Sequence, residues 1–331
     1  MTDLKGKRVL MFSPYGATKH YGEAIIGELE KRGSIVYGYD ERPSQNSFVK
    51  IVIRLFKKRI PQIFDRYISK VIAANKDVAF DYILICRGEA FTPLTIQHLK
   101  KSFPTAKVLL YFWDILRCAD VRFNIPYADR AMSFDPQDAE ENEGLEFRPT
   151  FFVKEYQDVI DIPSGKNDVC FIGTLHSNRH KIIKRIEKSF TDQGFRFYKY
   201  LYVPSPLVYI KDFITKFPYI ALSEVHFNPI SVRDTVSVLN ETKAIFDINY
   251  TAQKSLSTRA YEAMAARRKY ITTNPEVQKY EFYNPNNIAV VDLNEIKLSK
   301  DFIEKPFEDV PFEILYHYSV AGLVDDLFGS I

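Results

Sequence analysis

The sequence predicts an α/β protein built from two doubly wound parallel-sheet domains that face each other across a cleft. Three observations predict it. Strand-length apolar runs alternate with helical stretches in both halves, the rhythm of βα units. The 331 residues are too many for most single cores, and their 46% apolar content is enough for two. Between Lys243 and Asn274 the chain reads as strand, serine-rich loop, alanine-rich helix and strand, one turn of a parallel sheet.

The elements follow in order. KRVLMFS (7–13) is a first buried strand, and the helix after it runs through IIGELEKRG and closes at Gly33. Strands are predicted over 34–39, 81–86, 107–112 and 130–134. Thr92-Pro93 opens the helix between the third and fourth. The segment 47–74 interrupts this rhythm with two helical stretches separated by Pro61. Ile51, Leu55, Ile63, Phe64, Tyr67, Ile68 and Val71 form an apolar stripe there, and Lys50, Arg54, Lys57, Lys58 and Arg59 a basic face. It reads either as a helical pair packed on the sheet or as an interfacial helix resting on anionic lipid, a peripheral contact with the inner membrane. The aperiodic stretch 148–164 is placed as the linker, between a first domain over 1–155 and a second over 165–312. The second repeats the rhythm with strands at 168–173, 195–202, 243–249, 269–273 and 288–292, and helices near 178–190 and 257–266. The last segment, 313–331, carries a helical pattern (316–328) expected to pack across the junction.

Composition narrows the function. The net charge of +3, from 45 basic and 42 acidic side chains, is too weak for a nucleic-acid binder. Cys86, Cys118 and Cys170 are odd in number and far apart, so neither a disulfide framework nor a CxxC zinc site is expected. MTDLKGKRVLMFS starts with a strand-length apolar run rather than an export signal, and no apolar stretch approaches the ~20 residues of a membrane span. A cytoplasmic protein is expected.

Ligands of doubly wound sheets bind beyond the carboxyl ends of the strands, so the residues just after each strand carry the chemistry. SLSTRAYEAMAARRKYITTN (255–274) places the Ser255 hydroxyl and backbone N–H groups at a helix start, where phosphate binds well. Arg259 adds a positive fork. Glu262, a turn later, can accept hydrogen bonds from ribose or sugar hydroxyls. Asn249 ends the preceding strand, and Lys254 is either a phosphate partner or a plain surface lysine. In FIGTLHSNRH (171–180), Gly173 permits close backbone approach, Thr174 offers a hydroxyl, and Arg179 can reach a diphosphate. SPYGATKHYG (13–22) has neither GxGxxG nor GxxxxGK[ST]. Its Gly16 and His20 are assigned to the acceptor side, with Trp113, the single tryptophan, as a stacking surface. RGEAFTP and FWDILR put Glu89 and Asp114 at strand ends, as candidate general bases or as caps of the following helices. Asp135, in DPQD, reads as ordinary helix initiation. Dispersed histidines and the lack of Asp-x-Asp predict no metal and no cofactor.

The run STRAYEAMAARRKYITTN, followed by YEFYNPNNIAVVD, resembles the donor-binding domain of GT-B glycosyltransferases, especially bacterial enzymes of capsule, lipopolysaccharide or exopolysaccharide synthesis. DVCFIGTLHSNRHKII is similar to the first strand and loop of that domain. FWD and FDPQD…FRPTFF are similar to the end of the first domain. The resemblance covers most of the chain and implies two Rossmann-like domains, a nucleotide-sugar donor and a glycan or lipid-linked acceptor. It implies that Glu262 binds donor hydroxyls, that Arg259 and the loop before it hold the diphosphate, and that Gly173 and Thr174 line the pocket. Two positions depart from the pattern. Lys254 stands where retaining members often carry a glutamate, and Arg267 where a glycine is frequent. Retention or inversion of the anomeric centre is thereby left open. A non-catalytic two-domain solute-binding protein and a nucleotide-sugar epimerase or hydrolase are the rival readings.

Overall fold

A computed structural model describes residues 2–16, 18–43, 60–117, 121–160, 165–175, 179–215, 220–249 and 254–329. Contacts divide the chain into two units. The first is Met1–Thr150 with Gln253–Ser255 and Val320–Ile331; the second is Phe151–Ala252 with Leu256–Ser319.

The first unit holds a six-stranded, all-parallel sheet in the order β2-β1-β3-β4-β5-β6. Its strands are β1 (Arg8–Ser13), β2 (Ile35–Asp40), β3 (Tyr82–Cys86), β4 (Lys107–Phe112), β5 (Arg130–Ser133) and β6 (Glu146–Phe147). β1, β3 and β4 are nearly continuous apolar runs because helices cover both faces of the sheet. Helix α1 (Lys19–Lys31) follows β1 so closely that a methyl on Gly22 would overlap the Ser13 hydroxyl. Its chain exits through Gly33 at φ +83°, a conformation only glycine adopts without strain.

Helix α2 (Ile60–Ala74) carries Pro61 in its first turn, where a missing N–H costs nothing. Phe64, Ile68 and Val71 are buried in the core of this unit. That half of the 47–74 stripe therefore packs inward. The residues of its more basic half, 47–59, lie outside the described residues. Helix α3 (Pro93–Ser102) is capped by the Thr92 hydroxyl, which accepts from Thr95 N, and α4 (Pro136–Glu141) by Asp135. Glu89 and Asp114 cap neither.

The second unit repeats the design. Its strands are β7 (Asn167–Thr174), β8 (Phe197–Tyr202), β9 (Val225–His226), β10 (Thr242–Asp247), β11 (Lys269–Thr272) and β12 (Ile288–Val290). They are all parallel, in the order β12-β11-β10-β7-β8-β9. Counted within the unit, this is the 3-2-1-4-5-6 order of dinucleotide-binding sheets, with its switch point between β7 and β10. The helices are α5 (Arg179–Asp192), α6 (Pro206–Thr215), α7 (Val232–Asn240), α8 (Thr258–Ala265), α9 (Lys300–Glu304) and α10 (Phe312–His317).

The helical pattern expected over 316–328 is two helices. Buried Tyr318 leaves the helix so that its carbonyl accepts from Phe152 N at 3.0 Å, and the Ser319 hydroxyl turns back on Tyr316 O at 2.6 Å. α11 (Val320–Phe328) then belongs to the first unit. There Arg32 of α1 binds Asp325 at 2.6 Å and the Ala321 carbonyl at 2.8 Å.

Candidate functional site

In the second unit the switch point collects side chains from three segments. β7 ends in Gly173 and Thr174. A Cβ on Gly173 would stand 2.8 Å from the Phe171 ring, so the bare backbone leaves room for that ring, with Arg179 Nη1 at ordinary contact distance, 3.7 Å. Arg179 opens α5 and reaches over to β10, where its Nη2 donates a long 3.4 Å bond to the Ile248 carbonyl. Burial pushes this guanidinium below the usual arginine range, and the charge of Asp247 opposes that fall. Asn249 N donates to Thr273 Oγ1 at 2.9 Å, fixing the end of β10. Gly173, Thr174, Arg179 and Asn249 thus come together where a doubly wound sheet places its ligand.

The serine-rich loop departs from expectation. Ser255 is fully buried, and both its hydroxyl and its N–H donate to Asp135 Oδ2, at 3.0 and 3.2 Å. Lys254 N joins them at 3.2 Å while its side chain is exposed. Those donors are already spent on a carboxylate and are not aimed at a phosphate. Ser257 caps α8 by accepting from Arg259 N at 3.2 Å, and its hydroxyl donates to Asp247 at 2.8 Å.

Glu262 also differs from the open carboxylate that was expected. It is 1% exposed and ion-paired with Arg259. The Tyr156 phenol bonds to both, and burial together with the negative charge of Glu262 drives its ionisation well above the usual range. A turn of helix puts positions 259 and 262 on one face, so the fork meets the carboxylate before any ligand does. Any contact with a donor hydroxyl requires this pair to open.

In the first unit the predicted bases are brought together by an arginine that the sequence reading passed over. Arg87 follows β3 at φ +70°, and Gly88 follows at φ +69°. A non-glycine residue held there is strained, a condition that clusters at functional sites. Its guanidinium lies 2.6 Å from Asp114, 3.0 Å from Glu89 and 3.8 Å from Glu41. Arg42 grips Glu89 from the other side at 2.5 Å. Glu89 and Asp114 are therefore exposed, paired carboxylates on one guanidinium. Trp113 is half-buried between Tyr21 and Tyr111, with ring centroids 6.5 and 6.2 Å away, and His20 lies 4.0 Å from the Tyr21 ring. Gly16 is exposed, and its carbonyl accepts from Lys19 N at 3.1 Å.

Glu41, just past β2, is fully buried, and among the described residues neither of its carboxylate oxygens has a hydrogen-bond donor. Burial pushes its carboxyl up to about 7; Arg87 and Arg42 oppose the rise, and Glu89 and Asp40 add to it. The folded protein therefore holds this proton more tightly than the unfolded chain does. The group's contribution to stability is full below its ordinary 4.5 and is lost as pH rises through about 7, an effect of about 3 kcal/mol. Glu41→Gln is expected to flatten that slope, with urea denaturation at pH 5 and pH 8 as the measurement. A variant as pH-sensitive as the parent would refute the assignment.

No protein-family model matches the chain, and no curated protein sequence does. Solved structures do match. The glycosyltransferase from Rickettsia africae superposes with a TM-score of 0.57 at 12% identity, over 98% of this chain and 100% of that one. The lipopolysaccharide outer core galactosyltransferase WaaB gives 0.50 at 10%, over 98% and 100%. The fold is GT-B. The UDP-GlcNAc 2-epimerase from Methanocaldococcus jannaschii, at 0.54 and 12% over 97% and 99%, is also similar. Read as a GT-B chain, the molecule has the expected pair of parallel sheets, each with candidate residues at its carboxyl edge. Asp247, Glu41 and Arg87 were missed there. The first was legible as an acid inside the apolar run KAIFDIN, and the last as a large side chain before Gly88. Among the described residues no group of three or more His, Cys, Asp or Glu side chains is placed to hold a metal, and no helix is long and apolar enough to cross a membrane.

Proposed function

We propose that the protein is a glycosyltransferase that moves a sugar from a nucleotide-sugar donor to a hydroxyl of a growing surface glycan. The observation that carries this reading is Arg179 set beside Gly173 at the β7/β10 switch point. There a half-buried guanidinium with no carboxylate at ion-pair distance among the described residues stabilises charge growing on a leaving diphosphate. Gly173 lets the backbone approach that diphosphate, and Thr174 and Asn249 supply hydrogen bonds. Arg259 stays with Glu262 and acts from behind. At the carboxyl edge of the first sheet, Trp113, His20 and Gly16 meet the acceptor. Either Asp114 takes the acceptor proton once Arg87 releases it, or Glu89 does once Arg87 and Arg42 release it. No metal takes part in this scheme.

The acceptor is a glycan or a lipid-linked glycan, and the basic segment 47–59 is the candidate contact with a membrane surface. The test is release of free nucleotide from UDP-, GDP-, ADP-, TDP- or CMP-sugars, with and without an acceptor glycan and with EDTA present. Acceptor-dependent, EDTA-resistant release supports the reading. Glu89→Gln and Asp114→Asn should between them abolish transfer and spare nucleotide binding. The epimerase likeness favours one rival, an enzyme of nucleotide-sugar metabolism, for which nucleotide release would need no acceptor. Binding without any turnover would leave a solute-binding protein.

A further inference from the structure

At the amino end of the second sheet lies a pocket that the transfer scheme does not use. Its volume is about 110 Å³, and it is lined by five cationic side chains, Lys243, Arg267, Arg268, Lys269 and Lys305, against one acid, Glu304. Lys243 is the second residue of β10 and Lys269 the first of β11, so the pocket opens at the opposite end of those strands from Asn249.

Cations outnumber acids in this lining. Lys243 is paired with Glu304 at 2.8 Å and lies 3.5 Å from Asp168, a carboxylate that Arg196 also holds. Arg268 directs its fork at the carbonyls of Leu239, Ala266, Arg267 and Ile160. The buried Lys269 ammonium donates to the carbonyls of Asn286 at 2.5 Å and Pro306 at 3.0 Å, which solvate it without neutralising it. Burial, helped by the like charge of Lys305, pulls this ammonium down to about 8, and Glu308 offsets part of the fall.

A second observation concerns Arg267. It follows Ala266, the C-cap of α8, at φ +54°, the place and conformation at which helices favour glycine. A side chain there is strained. Its guanidinium pairs with Asp309 at 2.7 Å, an exposed pair of the kind that contributes little. The strained arginine thus brings a cation to a pocket already rich in them.

We propose that this pocket binds a phosphate-class oxyanion, at a site separate from the donor's. Its volume of about 110 Å³ gives room for a single tetrahedral anion. Free phosphate and a phospholipid headgroup share this chemistry.

Calorimetric titration of the full chain with inorganic phosphate, against chloride at matched ionic strength, tests the proposal. Binding is expected in the wild type, with proton uptake at pH 8 as Lys269 becomes fully charged. Arg267→Gly relieves the backbone, so its Tm should equal or exceed that of the parent while phosphate affinity falls at least tenfold. Lys305→Ala should lose affinity likewise. In Arg179→Met, which removes the cation proposed for the donor, phosphate binding should persist. Vesicles of phosphatidylglycerol or phosphatidylcholine identify the source: phosphatidylglycerol-selective binding that phosphate competes away supports a headgroup, and its absence beside phosphate binding supports the free ion. Phosphate binding no stronger than chloride, or unchanged in Arg267→Gly, overturns the site. Nucleoside-diphosphate binding should survive Arg267→Gly, so the two assignments fail separately.

Discussion

Replacing Asp135 with alanine is expected to cost about 3–5 kcal/mol, among the largest stability losses available to a single substitution in the first unit. The carboxylate is fully buried and divides its work. One oxygen caps α4, accepting from Gln137 N at 3.0 Å and Asp138 N at 3.4 Å. The other gathers Lys254 N, Ser255 N and Ser255 Oγ within 3.2 Å. Loss of the cap alone costs about 1 kcal/mol. Three further donors in a buried setting lose their acceptor at about 1 kcal/mol or more each. Asp135→Asn separates the two roles. Its carbonyl can keep the cap while its amide group faces donors with a donor, so an intermediate loss of about 2–3 kcal/mol is expected. Urea denaturation of both variants, and a double-mutant cycle with Ser255→Ala, is the measurement. A cost near 1 kcal/mol for alanine, or a coupling with Ser255 close to zero, would reduce Asp135 to the plain helix cap that DPQD suggests.

The same residue shows where the sequence is legible and where it is not. The β-strands are readable because parallel strands covered on both faces must be apolar throughout, so KVLLYF and DVCFIG announce themselves. β6 and β9, two residues each, are too short to leave such a trace. Capping is local, and Thr92 and Asp135 were readable from three or four letters. The second role of Asp135, at a separation of 120 residues, is not local, and nothing in DPQD predicts it. Ion pairing fails for the same reason. Glu89 and Asp114 were found as acids at strand ends, but the arginine that holds both depends on how β3 and β4 lie in register. Glu262 was read as open because a helix period tells which residues share a face, and not whether that face is covered.

Arg179→Met is expected to weaken binding of the cognate nucleoside diphosphate by about ten- to a hundredfold, the equivalent of about 1.5–3 kcal/mol for hydrogen bonds to a charged group. The fold should tolerate the change. Among the described residues the guanidinium makes one long bond, to a carbonyl, and its burial already works against its charge. Methionine keeps an unbranched apolar stem without the charge. Arg179→Lys should fall between the two, because an ammonium restores charge without the planar fork that matches two phosphate oxygens. Thermal stabilisation reads the effect directly. At a ligand concentration a hundred times the wild-type Kd the parent gains about 2.7 kcal/mol, and the methionine variant should gain less than about 1.5. The competing assignment puts the diphosphate on Arg259. That side chain is ion-paired with Glu262 and shares Tyr156 with it, so using it requires breaking a buried pair, which is costly. Wild-type affinity in Arg179→Met, with the loss appearing in Arg259→Met instead, would return the phosphate to the serine-rich loop and overturn the switch-point assignment.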